Sequence, residues 1–311
     1  MKYTAFKAYR FSALTLGTAQ LGLPYGVSNQ TGIPAPEEAN AMLAYATELG
    51  INTFDTARTY GYSENVLGGY IEKHEPGQSH VVSKFKISRE NLMDQERAWR
   101  EVSASVMTSL NTLKIPRLPV CLLHKGVEPM EQVMKVLPEI LQRLKSEGLI
   151  DIGGISAYFP DDIPYFLEDP DVEAAQVPLN IFDQRLIRDG YLDRLHAKGK
   201  LVFVRSVFLQ GLFFMHPEQL TGVLQKAKDH LRQLKHLAEQ GGMSVAQLAF
   251  SFVRDLPAVD SIVVGAVNTQ QVSENVNLMN GPVIPGEILA GIAEAFLHVD
   301  EEVITPGLWK L

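Results

Sequence analysis

The sequence contains a single cysteine and no long apolar run, and both absences narrow the class of protein. With only Cys121 among 311 residues, no intrachain disulfide can form, and we expect this cysteine in a buried strand. The amino-terminal residues MKYTAFKAYRF lack the continuous apolar segment of a signal peptide, and no apolar run is long enough to span a membrane. These features predict a protein of the reducing cytoplasm without a membrane partner.

Positive charge is also scarce. The chain has 28 Lys and Arg against 36 Asp and Glu, which gives a formal net charge of −8 at pH 7. This balance argues against a surface for nucleic acid or acidic membranes, because such surfaces need an excess of basic residues. It still allows an anionic cofactor, since backbone amides and a few local basic residues can hold phosphate.

Short apolar runs alternate with amphipathic stretches along the chain. The eight runs cover residues 13–17, 51–55, 80–84, 119–124, 149–156, 172–177, 200–206 and 260–265. Strands that alternate with helices predict parallel pairing through right-handed crossovers. A doubly wound sheet would use the same alternation, but GTAQLG follows the first run in place of GxGxxG, and that favours a closed (β/α)8 TIM barrel.

Helical patterns lie between these runs, at residues 36–50, 90–113, 128–148 and 269–280. Pro138 inside the third pattern predicts a kink or a late helix start. Before the first run, the residues YTAFKAYRF predict a short hairpin that closes the barrel bottom. No linker or repeat interrupts the alternation, so the chain is predicted to form a single α/β domain over residues 1–311.

Four polar residues end or closely follow three of the apolar runs. Asp55, Lys84 and His124 close their runs, and Tyr60 lies five residues after Asp55. Parallel strands of a barrel deliver such residues to one mouth. A phenol has a pKa of about 10, so Tyr60 needs a neighbouring ammonium, predicted to be Lys84, to lower its pKa.

Asp55 would hold Lys84 in place, and His124 would orient a substrate oxygen. Such a set would protonate a carbonyl oxygen while hydride reaches the carbon, or catalyse the reverse. Each residue alone also has an ordinary structural explanation as a cap, a packed side chain or a surface charge. Their joint placement at strand ends favours the chemical explanation.

The segment FDTARTYGYSENVLG at residues 54–68 resembles the signature of the aldo-keto reductases. LTLGTAQLG, VVSKF, LLHKG, GGIS, AAQVPLN and VVGAVNTQQVSEN match the family as well, up to about residue 280. The resemblance implies a (β/α)8 barrel with nicotinamide bound across its top. It also implies that Asp55, Tyr60, Lys84 and His124 form the catalytic tetrad, with Tyr60 as the general acid in reduction.

The resemblance also implies a set of cofactor contacts, with departures at two strand ends. Ser156 and Gln176 match the residues that hold the carboxamide, but Ala157 stands where Asn is usual. Arg205 stands near the position of a stacking aromatic residue; it would stack on the nicotinamide, reach an anionic group, or form a salt bridge in the barrel wall. The full predicted set is Gly17, Thr18, Ser156, Gln176, Arg205, Ser206, Phe208, Leu209, Gln210, Gly211, Gly265, Asn268, Gln271, Glu274 and Asn275.

The segment GAVNTQQ at residues 265–271 has no charged residue, although many NADP-using members of the family place Lys or Arg there. Loss of charge-assisted hydrogen bonds to the 2′-phosphate, each worth about 1.5–3 kcal/mol, weakens the preference for NADPH. Glu274 and Asn275 are expected to hold the adenine. The prediction is NADPH as the family default, with NADH unusually competitive.

The predicted substrate is a small aldehyde, ketone or sugar-like carbonyl compound. Tyr25, Tyr62, Phe85 and Phe159 are candidates for the pocket wall, and the tail at 301–311 with Trp309 either covers the site or docks elsewhere. Three other functions remain open: a sugar dehydrogenase working in the oxidative direction, a nicotinamide-binding redox sensor with slow turnover, and a Schiff-base aldolase that uses Lys84. The histidines lack metal-ligand spacing, so no metal is expected. The sequence leaves the oligomeric state open, a homo-oligomer included.

Overall fold

The computed structural model describes residues 1–27, 29, 31–74 and 78–309, and eight of its ten strands close into a barrel. The strands are β1 (Tyr3–Phe6), β2 (Tyr9–Ser12), β3 (Leu14–Gly17), β4 (Thr53–Asp55), β5 (His80–Phe85), β6 (Leu118–His124), β7 (Ile150–Ser156), β8 (Ala174–Pro178), β9 (Leu201–Arg205) and β10 (Ser261–Gly265). The parallel barrel has the order β10-β3-β4-β5-β6-β7-β8-β9. This confirms the predicted (β/α)8 barrel.

Helices surround the barrel. They are α1 (Pro36–Glu48), α2 (Ser63–Lys73), α3 (Gln95–Leu113), α4 (Met130–Ser146), α5 (Ile163–Phe166), α6 (Arg185–Arg188), α7 (Tyr191–Ala197), α8 (Lys228–Gln240), α9 (Val245–Arg254), α10 (Thr269–Met279), α11 (Gly286–Ala295) and α12 (Glu301–Ile304). Their apolar faces and the outer faces of the strands form one large buried core. Because both faces of each strand are covered, the strands appear in the sequence as nearly continuous apolar runs.

The amino-terminal hairpin closes one end of the barrel, as predicted. β1 and β2 pair antiparallel, and Phe11 of β2 is completely buried. Phe11 packs in a second apolar cluster inside the barrel, with Val82 and Leu122 among its members. Its ring also lies edge-to-face with that of Phe203, with 5.9 Å between the ring centroids. The inside of the barrel is therefore a packed core that begins at the hairpin.

Two predicted helices differ from the structure at their amino ends. The first residues of the 90–113 pattern are not α-helical, and α3 begins after Asp94, whose carboxylate accepts a hydrogen bond from the Arg97 backbone N–H at 3.0 Å. This N-cap satisfies a backbone donor that would otherwise be unpaired. In α4, Pro138 lies inside a helix that begins at Met130, which excludes the late start, one of the two effects predicted for this proline.

The other two predicted helices match α1 and α10 closely. α1 ends at Glu48, and Gly50 beyond it has a positive φ of 87°, the left-handed conformation that a glycine adopts without strain. Cys121 is buried in β6, as expected from its apolar surroundings. Within the described parts of the chain, no helix combines the length and apolar character that crossing a membrane requires.

Candidate active site

A buried ion pair lies at the carboxyl ends of two neighbouring strands, β4 and β5. The Lys84 ammonium donates hydrogen bonds to Asp55 Oδ2 at 2.6 Å and to the Thr56 carbonyl oxygen at 2.9 Å. Burial lowers the pKa of Lys84, and the Asp55 carboxylate acts in the opposite direction. Such a pair is tolerated in the interior because each charge has a partner with good geometry. The predicted contact between Asp55 and Lys84 is present.

Gln176 connects this ion pair to the opposite side of the barrel. Its amide nitrogen donates to Asp55 Oδ2 at 2.7 Å, and its amide oxygen accepts from the Ser156 hydroxyl at 3.1 Å. Ser156 and Gln176 are neighbours in the β7–β8 register. A hydrogen-bonded chain therefore runs from Ser156 through Gln176 and Asp55 to Lys84. It fixes the orientation of the carboxylate between two donors.

Tyr60 lies on the loop after β4, close to the other predicted catalytic residues. The Lys84 Nζ atom is 5.1 Å from the centroid of its ring, and the His124 ring lies edge-on at a centroid distance of 6.0 Å. Burial and the Asp55 carboxylate raise the pKa of Tyr60. The predicted lowering by Lys84 is wrong for this structure, because Asp55 compensates the ammonium charge and burial favours the neutral phenol.

His124 ends β6 and is held as a neutral imidazole. Burial, together with the positive charges of Lys84, Lys86 and Arg205, lowers its pKa from 6.5 to about 3. Its Nδ1 atom lies 3.3 Å from the Thr59 hydroxyl. A neutral imidazole has one donor and one acceptor nitrogen, so His124 can donate a hydrogen bond to a substrate oxygen without carrying charge.

Arg205, the last residue of β9, extends across the mouth towards β7. Its Nη2 donates to the Ala157 carbonyl oxygen at 3.0 Å, and its Nη1 donates to the Ser206 hydroxyl at 3.2 Å. The guanidinium carbon lies 4.5 Å from the centroid of the Tyr158 ring. Within the described residues, no carboxylate forms an ion pair with Arg205. The predicted salt bridge in the barrel wall is therefore not found there.

A cleft of about 790 Å³ opens beside these residues and extends to the amino end of α10. This volume is in the range of small-molecule and cofactor sites. Asp55 and Tyr60 line its inner end. The predicted cofactor residues that also line it are Gly17, Arg205, Ser206, Phe208, Gln210, Gly211, Gly265, Asn268, Gln271, Glu274 and Asn275.

Four predicted cofactor residues do not line the cleft. Leu209 is buried in the core, and Ser156 and Gln176 bond to each other behind the cleft. Thr18 is also buried, where its hydroxyl donates to the Asp55 carbonyl oxygen at 2.8 Å. Its side chain therefore supports the loop that follows β4.

The loop after β9 forms one wall of the cleft with an unusual backbone. Ser206, Leu209, Gln210 and Gly211 all have positive φ, at 65°, 47°, 54° and 93°. Non-glycine residues rarely adopt this conformation, and it concentrates at functional sites. The N–H groups of Leu209 and Gly211 donate to the carbonyl oxygens of Ser206 and Phe208 at 2.9 Å, so the loop is a tight turn held by its own backbone. Gly211 of this loop lines the cleft and lets a ligand approach the backbone closely.

The other wall contains the amino end of α10. Asn268 caps the helix by accepting from the Gln271 N–H at 2.9 Å, and Gln271 Oε1 accepts from the Val267 N–H at 3.0 Å. Farther along, Glu274 accepts from Gln270 at 2.8 Å. Among the described residues that line the cleft, Arg205 is the single basic one, and it lies at the opposite end.

Of the four substrate candidates, one lines the cleft and three do not. Tyr25 lines the cleft, while Phe159 does not, and Tyr62 is 76% exposed on the surface. Phe85 is 1% exposed because it packs in the core between strands and helices, so its assignment to a pocket wall is wrong.

The described part of the tail lies away from the cleft. The Trp309 indole donates to backbone oxygens of Glu302 and Val303, and its ring packs against the core. The last two residues of the predicted tail segment, 310 and 311, lie outside the described residues.

Several residues of the site were not predicted. Tyr158 stacks on Arg205 and, at a centroid distance of 6.5 Å, on His124. It lies two residues beyond β7, so the rule of polar residues at strand ends would have found it. Gln20 and Ser244 also line the cleft, but they lie outside the strand ends and carry no such signal. The described residues hold no cluster of His, Cys, Asp and Glu that fits a metal ion.

A parallel barrel with acid, amine, phenol and imidazole side chains at its carboxyl mouth, beside a long cleft, defines an enzyme that moves protons on a bound small molecule. A family model described as the Aldo/keto reductase family matches residues 13–295. The chain belongs to this family, whose members are oxidoreductases that use a nicotinamide cofactor. The cleft, its glycines and the positive-φ loop fit such a cofactor.

Known relatives are similar over most of their length. An L-glyceraldehyde 3-phosphate reductase of Escherichia coli (strain K12) is 25% identical, over 97% of this chain and 94% of the relative. An NADH-specific methylglyoxal reductase of the same strain is 26% identical, over 76% and 80%. An aldo-keto reductase from Bacillus halodurans in its holo form has the same fold, with a TM-score of 0.78 and 21% identity over 97% of this chain and 99% of that one.

Proposed function

We propose that this protein reduces the carbonyl group of a small aldehyde, ketone or sugar-like substrate to an alcohol, using NADH or NADPH. The observation that carries the proposal is the chain Ser156–Gln176–Asp55–Lys84 beneath Tyr60 and His124, at the inner end of a cleft. When bound, the nicotinamide supplies the hydride. A small-molecule carbonyl compound is the partner that this site suits.

The protein contributes a proton and a binding site for the carbonyl oxygen. Tyr60 keeps its proton at neutral pH because burial and Asp55 raise its pKa, so it is available as the general acid. The neutral His124 donates a second hydrogen bond and orients the carbonyl oxygen. When Tyr60 loses its proton to the alkoxide, the nearby Lys84 ammonium stabilises the phenolate.

Three parts of the cleft are proposed to hold the cofactor. The loop at residues 206–211, which lines the cleft at Ser206, Gln210 and Gly211, contacts the pyrophosphate, and Glu274 and Asn275 contact the adenine. No basic side chain of the described lining lies near Gln271, where a 2′-phosphate would need one. This absence supports NADH as a cofactor that competes with NADPH, and the methylglyoxal reductase among the relatives is NADH-specific.

The test combines cofactor binding with turnover. Intrinsic fluorescence titrations with NADH and NADPH give the two dissociation constants, and a panel of aldehydes, ketones and sugars gives kcat. Tyr60→Phe should lower kcat by about 10²- to 10⁴-fold, the usual contribution of a general acid, with little change in cofactor affinity. Tyr165→Phe is the control, because Tyr165 is 54% exposed on α5.

Three results would contradict the proposal in different ways. A fully active Tyr60→Phe variant removes Tyr60 from the role of acid. Tight cofactor binding without turnover on the whole panel identifies a nicotinamide-binding sensor in place of an enzyme. No binding of either nucleotide would reject the oxidoreductase function itself.

A further inference from the structure

We propose that the substrate carries an anionic group, a carboxylate or a phosphate, and that Arg205 binds this group beside Tyr60. The inference rests on the proposed carbonyl reduction and adds to it the charge class of the substrate. Its basis is a half-buried guanidinium without a counter-ion in the part of the chain that the structure describes.

The position of the guanidinium is fixed from three sides. It donates to the Ala157 carbonyl oxygen at 3.0 Å and to the Ser206 hydroxyl at 3.2 Å, and the Tyr158 ring supports one of its faces at 4.5 Å. A guanidinium has five N–H donors, so these two bonds leave donors available. Both acceptors are neutral. Arg205 is thus oriented before any ligand binds, which lowers the entropy cost of binding an anion.

No carboxylate of the described residues compensates the charge of Arg205. The carboxylate at the mouth, Asp55, already accepts hydrogen bonds from Lys84 and Gln176. Asp162, the acid near β7, pairs with Lys125 at 3.2 Å. An uncompensated charge that is partly removed from water is unfavourable, and an anionic ligand would relieve that cost.

The direction of the side chain favours the substrate over the cofactor pyrophosphate. One guanidinium nitrogen bonds to Ser206, where the loop at 206–211 begins, but the other reaches over β8 to Ala157, at the end of β7. There it acts electrostatically on His124 and Tyr60. Lys86, a second cation that acts on His124, has no ion pair among the described residues either. The mouth is thus locally positive in a chain with a net charge of −8.

The chemistry of the guanidinium fits two anions. Its planar fork matches a carboxylate or a phosphate with two parallel hydrogen bonds, which a lysine cannot provide. An anion held by Arg205 would place the attached carbonyl carbon near Tyr60 and His124. The position of the anion along the substrate then decides which carbonyl is reduced.

Matched pairs of substrates test the inference. The charged and neutral members are succinic semialdehyde with its methyl ester, and glyceraldehyde 3-phosphate with glyceraldehyde. For the preferred anion, Arg205→Met should lower kcat/KM about 10- to 100-fold for the charged member, and the neutral member should change less than about threefold. The pair that shows this difference identifies carboxylate or phosphate. Arg205→Lys should recover part of the loss.

A matched control is available in the same chain. Arg194 lies over the Tyr191 ring at 5.4 Å, on α7 and outside the cleft, so Arg194→Met removes a similar stacked charge. It should leave both members of each pair unchanged. The dissociation constant of NADH should also stay the same in Arg205→Met.

Other outcomes overturn the inference while the carbonyl reductase proposal survives. Equal losses for charged and neutral substrates would assign Arg205 a structural role. A parallel loss of NADH affinity would assign it to the cofactor. A wild-type enzyme that prefers neither charged member would reject an anionic substrate.

If the wild-type protein reduces no carbonyl compound, the proposed function fails and Arg205 is tested by binding. Calorimetry with 4-hydroxybutanoate and with glycerol 3-phosphate then compares wild type with Arg205→Met. Binding that is lost in the variant supports the anion site. Absence of binding to the wild type rejects it.

Discussion

At the scale of single residues, burial at the barrel mouth determines the protonation of Tyr60 and His124 as much as nearby charges do. Tyr60 and His124 lie next to each other, and burial is the largest cause of both pKa shifts. Burial favours the neutral forms, a protonated phenol and an uncharged imidazole. In the proposed reduction, Tyr60 therefore has a proton to give, and the neighbouring His124 donates its hydrogen bond without a charge.

The depressed pKa of His124 predicts an acid-sensitive fold. The folded protein holds His124 neutral down to about pH 3, whereas the unfolded chain binds this proton near pH 6.5. Since the unfolded state binds more protons between these values, the free energy of unfolding falls as the pH drops from 6.5 towards 3. In His124→Asn, the fall between pH 6.5 and 5 should be smaller by up to about 2 kcal/mol.

Urea denaturation at several pH values measures this difference. His298→Asn, at an exposed position, is the control and should follow the wild-type pH dependence. An identical pH dependence in His124→Asn would show that His124 is not held neutral in the folded protein.

At the scale of elements, the start of α10 sets the charge at one end of the cleft. Its cap and first turn use Asn268 and Gln271, which are neutral and hydrogen-bonded to the backbone. The positive end of the helix dipole is the remaining attraction for an anion. The attraction of the helix dipole for a phosphate is weaker and less specific than that of a Lys or Arg side chain.

A cation introduced at this position should change the cofactor preference. Gln271→Arg is expected to raise the affinity for NADPH relative to NADH by about 10- to 100-fold, through charge-assisted hydrogen bonds to the 2′-phosphate. The two dissociation constants measured by fluorescence give the ratio. Gln270→Arg is the control, because the neighbouring Gln270 does not line the cleft. Equal ratios in both variants would show that the 2′-phosphate binds elsewhere.

The barrel strands were predictable from sequence because each is buried on both faces and carries a compact apolar run, as in 118–124. The grouping of Asp55, Tyr60, Lys84 and His124 was also predictable, since the strand ends of a parallel barrel lie at one mouth. The start of α3 was not predictable from periodicity, because the cap at Asp94 competes with the helical pattern before it. Phe85 looked like a mouth residue, but successive strand residues point to opposite sides and it faces the core.

The pKa of Tyr60 depends on how deeply its side chain is buried, and a sequence does not give that burial. Proximity to Lys84 was predicted correctly, but Asp55 lies closer to the ammonium than Tyr60 does. The contact between Arg205 and Tyr158 joins the end of β9 to the loop after β7, 47 residues apart in sequence, with no shared motif. Such contacts arise from barrel closure and are found only in three dimensions.

At the scale of the whole molecule, the hairpin and the barrel form one packing unit. Phe11 fills the bottom layer against Phe203 and His80. We expect Phe11→Ala to lower the free energy of unfolding by about 3–5 kcal/mol, because it removes a buried ring and leaves a cavity. Urea denaturation measures the loss, and kcat should change little because the mouth is at the opposite end.

Val127→Ala is the control for this variant. Val127 is 93% exposed, so its truncation should change stability by less than about 0.5 kcal/mol. A loss of that small size in Phe11→Ala would show that the hairpin does not contribute to the stability of the barrel.

The closed bottom has a consequence for the supply of protons. Phe11 and its neighbours fill the interior of the barrel, and among the described residues the cleft at the mouth is the opening that Tyr60 lines. A bound cofactor and substrate would occupy that same opening. Tyr60 must then carry its proton before the substrate binds. Solvent can reprotonate Tyr60 only after the product has left.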